Sequence, residues 1–83
     1  MTFTDYAAKK GIQLLKDDMA WLRGQIDGLP KAEIQELLRE YVDVWLASMA
    51  LCENDVRKQN EGRAAANKFL RERLHARYGQ MVQ

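Results

Sequence analysis

Nucleophilic and general-base chemistry needs a thiol, hydroxyl or imidazole held beside a group that moves its proton. The chain offers one histidine, His75, and one cysteine, Cys52. His75 falls on the polar side of its helix, which predicts a solvent-facing ring rather than a base. Cys52 lies on the main apolar stripe of the second helix, the setting of a buried and inert thiol. Asp17 and Asp18 form a doublet on the polar side of the first helix and read as solvated. Glu33, Glu36 and Glu40 share one helix face, but a di-metal carboxylate site pairs such glutamates with histidine three residues on, and none follows. No glycine-rich loop suited to a phosphate is present. These residues imply no catalytic site, no metal and no cofactor, and the chain is expected not to be an enzyme.

Recognition chemistry has more to work with. Arg63, Arg73 and Arg77 share the helical arc that holds Ala66, Leu70 and Leu74. Arginine in that position must snorkel, pair with an acid or meet a partner. Asn67 sits in the same apolar stripe, where a buried polar residue sets register. The small residues of Gly62-Arg63-Ala64-Ala65-Ala66 suit a tight helix crossing or a contact point for a partner. On the first helix Phe3, Leu14 and Trp21, with Ala7, lie roughly 120° or more from the main apolar line. Either another helix covers them or they form an interface. The expected protein-binding set is therefore Leu14, Trp21, Arg63, Asn67, Arg73 and Arg77. Trp45 and Tyr41 lie mid-stripe on the second helix and read as core, and Trp45 then needs an acceptor for its indole N–H.

Charge is unevenly placed. Residues 1–55 hold six Lys/Arg against ten Asp/Glu, a net of −4, whereas residues 56–83 hold seven against two, a net of +5. The simpler consequence is that a basic last helix lies against acidic partners within the chain. The alternative is a phosphate-binding face made by Arg57, Lys58, Arg63, Lys68, Arg71, Arg73 and Arg77, with nucleic acid as the partner. Against it, the whole chain carries a net charge of only +1, and its aromatic residues, Phe69 and Tyr78 apart, are not interleaved with the basic cluster.

The elements that position these residues are helices, since strong helix formers dominate and no stretch alternates as a strand does. Ala8, Ile12, Leu15, Met19, Leu22 and Ile26 repeat at fours and threes, which predicts one helix over about 4–27, capped by Thr2 or Thr4. Gly28 is placed to close it in a left-handed conformation, and Pro30 suits the start of the next helix, so the second helix, about 31–53, folds back on the first. Its apolar positions, including Ile34, Leu38, Tyr41, Trp45 and Met49, spread over roughly 220° of its surface, wider than one neighbour requires. A third helix is expected over about 55–78, stopping at Gly79, with 80–83 frayed. Residues 53–63 carry only weak turn signals, at Asn54 and at Asn60 to Gly62. The expected fold is therefore all-α and a single domain. It is either a small antiparallel bundle of three helices or a helical hairpin whose long second helix, roughly 70 Å, oligomerises.

At 83 residues one core rarely supplies more than about 3–5 kcal/mol. One cysteine allows no internal disulfide, and the composition offers no metal site, so association is the remaining route to added stability. A lone cysteine with no signal peptide or membrane-length apolar run points to the cytoplasm. The expected role is a small regulator or inhibitor, of the kind phages and mobile elements encode, acting through a protein partner or a homodimer. Nucleic-acid binding through the basic helix is the alternative.

Overall fold

The computed structural model describes residues 2–78, with side chains described as far as residue 76. Among the described residues there are four helices and no strand: α1 (Phe3–Lys9), α2 (Lys16–Ile26), α3 (Lys31–Leu51) and α4 (Lys58–Tyr78). The expected stop at Gly79 and the fraying of 80–83 lie outside the described residues.

The single first helix expected over 4–27 is instead two. Gly11 takes φ +86°, and the N–H groups of Gly11 and Ile12 return to the carbonyls of Ala8 and Ala7 at 3.0 Å each. This pattern closes a helix through a left-handed glycine. The break rephases the apolar stripe, so Ala7 and Ile12 are buried while Ala8 faces solvent and Leu15 is 55% exposed. At the other end of α1, Thr2 is the cap. Its hydroxyl accepts the Asp5 N–H at 3.2 Å and its own N–H reaches the Asp5 carboxylate at 3.4 Å, satisfying two first-turn donors reciprocally.

The chain leaves α2 through a turn with Asp27 at φ −58°, ψ 132° and Gly28 at φ +88°. Those angles define a type II turn, which needs a residue of positive φ at its third position. The Leu29 N–H to Ile26 carbonyl bond of 3.1 Å closes it. Pro30 then stands one residue before α3 as its N-cap.

Between α3 and α4 the chain bends. Cys52 caps the end of α3 and is half-buried, not within the helix as its stripe position implied. Asn54 accepts the N–H groups of Val56 and Arg57 at 2.9 and 3.3 Å on its side chain, organising the turn that feeds α4. The longest dimension of the molecule is 41 Å, well short of the roughly 70 Å of a continuous rod.

α4 therefore returns antiparallel along α3, and these two helices pack most closely. Gly62 makes the approach, because a Cβ there would stand 2.6 Å from Trp45 Nε1 and 2.9 Å from its Cγ. Ala66 and Leu70 continue the seam against Leu37, Tyr41, Val42 and Trp45, and α1, the following loop and α2 add Ala7, Ile12 and Leu22.

Candidate functional site

The first region of interest is the loop joining α1 to α2 and the side chains of α4 that hold it. The N-cap of α2 is Leu15, whose side chain has no acceptor to cap with, and Asp18 takes over by accepting the Leu15 N–H at 2.9 Å. That fixes the carboxylate beside α4. Arg63 Nε donates to both Asp18 oxygens at 2.9 and 2.8 Å, and its Nη2 donates to the Gln13 carbonyl at 3.0 Å. Its Nη1 donates to the Asn60 side chain at 2.7 Å. The guanidinium stacks 5.1 Å from the Trp45 ring centroid, a geometry that adds cation–π attraction. One turn earlier, Gln59 donates to the Gly11 carbonyl at 2.9 Å and accepts from the Gln13 N–H at 3.0 Å and from Trp45 Nε1 at 3.1 Å. The indole N–H of Trp45 has its acceptor, as a buried tryptophan requires.

Asp18 is 7% exposed, so the reading of Asp17-Asp18 as a solvated doublet is corrected for the second member. The signal was Gly11. Once the helix is broken there, Asp18 becomes the third residue of a new helix, the position from which a carboxylate reaches back to the cap N–H.

The residues expected to bind a partner occupy varied surroundings. Leu14 and Trp21 are half-buried and packed on the core. Asn67 accepts the Tyr41 hydroxyl at 2.6 Å, a cross-helix bond that suits the register role expected of it. Arg73 stands 2.9 Å from Glu40, without hydrogen-bond alignment, and 5.1 Å from the Phe69 ring centroid. The side chain of Arg77 lies outside the described residues. Arg63 and Arg73 thus take, of the three choices open to them, the pairing with an acid on another helix.

Of the remaining basic residues, two are paired within the turn and the first turn of α4. Arg57 pairs with Glu61 at 3.4 Å and Lys58 with Asp55 at 2.9 Å. The Lys58 ammonium holds the Asp55 carboxyl below its usual range, chiefly by hydrogen bonding. Lys68 and Arg71 are exposed on a strip they share with Glu61 and Glu72. His75 is exposed, as its position predicts.

Tyr41 connects the interior to this charge. Its hydroxyl is pushed well above the ordinary tyrosine value of about 10 by burial and then by the negative charge of Asp18, with Arg63 opposing.

No family model, curated protein or solved structure matches the chain. Its own geometry therefore carries the functional reading. Among the described residues no group of three or more His, Cys, Asp or Glu is placed to hold a metal ion, and no helix is long and apolar enough to cross a membrane.

Sequence reasoning passed over the feature that the bend between α3 and α4 creates. Leu15, Met49 and Val56 line the rim of a cleft of about 390 Å³ with Asp55, Lys58 and Asn60, and the Gln13–Gln59–Arg63 network lies at its base. Val56 is 89% exposed and Leu51, in the last turn of α3, 85%. Leu51 precedes Cys52 and Val56 follows it, in a segment, 53–63, where Val56 is the one apolar side chain among polar residues. An isolated apolar side chain on a polar turn was the available signal.

Proposed function

We propose that the chain is a small non-enzymatic regulatory or inhibitory protein that acts in the cytoplasm by binding a protein. The docking surface is the end of the molecule where α3 gives way to α4, and the partner is another protein or a second copy of the chain. The observation that carries this reading is the exposure of Leu51, Val56 and Leu15, which among the described residues are the large apolar side chains left mostly in water. Scattered apolar residues are ordinary on a surface. Here two of the three border one cleft with the half-buried Met49, beside the polar Gln13–Gln59–Arg63 network, which groups apolar anchors with hydrogen-bonding groups as protein interfaces do.

This moves the docking surface away from the residues the sequence singled out. Leu14, Trp21, Arg63, Asn67 and Arg73 have internal partners, so recruiting them would break contacts within the chain. The nucleic-acid alternative has less support. Four of its seven cations, Arg57, Lys58, Arg63 and Arg73, are paired internally, and the exposed Lys68 and Arg71 are interspersed with glutamates, so few positive charges remain to release counterions from phosphates.

The test compares the wild-type chain with Leu51→Ser/Val56→Ser. Sedimentation equilibrium reads self-association, and crosslinked capture from the native cell reads foreign partners. A dimer or captured protein that the double variant loses, with an unchanged thermal melt, supports the reading. A wild-type monomer whose captured proteins are the same as the variant's overturns it.

A further inference from the structure

We infer that residues 3–26 form a detachable arm, latched onto the α3–α4 hairpin by Gln59 and Arg63, that opens as a unit while the hairpin stays folded.

The two parts are held by different physics. Among the described residues, six of the nine in the buried core, Leu37, Tyr41, Val42, Trp45, Ala66 and Leu70, belong to α3 and α4. These helices also share the Gly62–Trp45 approach, the Tyr41–Asn67 bond and the 3.2 Å bond from Ser48 Oγ to the Glu61 carbonyl. The arm contributes Ala7, Ile12 and Leu22, with Phe3, Tyr6, Leu14, Met19 and Trp21 only partly buried against the core, and α1 and α2 are seven and eleven residues long. Helices shorter than about 12–15 residues do not persist in water without a partner. The arm is helical because it is docked, and undocking removes both helices together.

Its polar attachment is concentrated at one place. Gln59 and Arg63, one turn apart on α4, take the Gly11 carbonyl, both backbone groups of Gln13 and the Asp18 carboxylate. Each of these groups is well solvated once exposed. Asp18 and Arg63 are both charged, so water replaces most of what a buried pair provides. The polar latch therefore sets where the arm sits, and its release costs little beyond the re-exposed apolar surface. Regions with few buried apolar contacts open below the global unfolding free energy.

Native-state hydrogen exchange of the full chain, read by mass spectrometry, tests this. Slow amides between 3 and 26 are expected to share one protection factor, at least about tenfold below that of the α3–α4 seam. Asp18→Asn leaves Arg63 uncompensated only in the docked state. It should lower arm protection on the order of a hundredfold, and seam protection by no more than the same factor, because every state with the arm released gains equally against the docked one. Gly11→Ala, which strains only the arm, should act in the same direction by on the order of tenfold. Equal protection of arm and seam in the wild type overturns the inference. So does a variant of either kind that unfolds the whole chain, because a seam that needs the latch is not a separate unit.

Discussion

Gly62→Ala puts the α3–α4 crossing to a quantitative test. In an exposed helix interior this substitution stabilises by about 1 kcal/mol, because alanine has less backbone entropy to lose. At position 62 the new methyl would lie 2.6 Å from Trp45 Nε1 and 2.9 Å from Cγ, far inside van der Waals contact. Trp45 is fully buried, bonded to Gln59 and stacked under Arg63, so the ring has no free rotamer to move into. Overpacking of this kind costs about 1–3 kcal/mol, and displacing the ring from Gln59 adds about 1–3 kcal/mol for an unpaired buried N–H. Set against the propensity gain, the net loss is about 1–5 kcal/mol, and its central value of about 3 kcal/mol lowers the melting temperature by roughly 10–25 °C in a domain of this size. Gly24→Ala is the control. Gly24 also sits in a helix, but nothing lies within 4 Å of its added Cβ, so it should stabilise by up to about 1 kcal/mol. Thermal unfolding of both variants by circular dichroism reads the difference. If Gly62→Ala stabilises as much as Gly24→Ala, the close approach to Trp45 is wrong.

Further outcomes follow from single residues. Gly11→Ala forces a side chain into φ +86° and should cost about 1–2 kcal/mol, read as a lowered denaturant midpoint. Tyr41→Phe leaves the Asn67 oxygen without its donor and should cost about 1 kcal/mol in the same assay. The chain should also lose stability above pH 10. The folded state keeps Tyr41 neutral beyond the ordinary tyrosine range, so its contribution is complete below about pH 10 and falls by up to about 1.4 kcal/mol per pH unit above it. Tyr41→Phe should flatten that limb, and absorbance at 295 nm should show one tyrosine ionising only with unfolding. Leu51→Ser and Val56→Ser remove side chains already in water and should leave the melting temperature within a few degrees.

The helical class, the Gly28-Leu29-Pro30 boundary and the core roles of Tyr41 and Trp45 were legible because each rests on local chemistry: propensity, positive φ, and apolar spacing along one helix. The tight crossing at Gly62 was legible as well, from small residues in a row. The break at Gly11 was not. Ala8, Ile12 and Leu15 continue the fours-and-threes rhythm across it, and a rhythm cannot reveal that the backbone stops following it. Everything downstream of that miss concerns Asp18, whose burial depends on α2 starting afresh and on a residue 45 positions away. Cys52 failed for a similar reason, since its stripe position is sound but α3 ends one residue earlier. The apolar rim at Leu15, Met49 and Val56 is assembled from three elements, and no window along the chain contains it.

The segment after Gly11 is gripped by its main chain. Gln59 and Arg63 engage the carbonyl of Gly11 and the amide and carbonyl of Gln13, groups that every residue except proline supplies. The identities at positions 13 and 15 are thereby uncoupled from the fold. Both can drift, or be chosen in a library, while the loop keeps its path, so the rim of the cleft can acquire new selectivity without renegotiating the architecture beneath it.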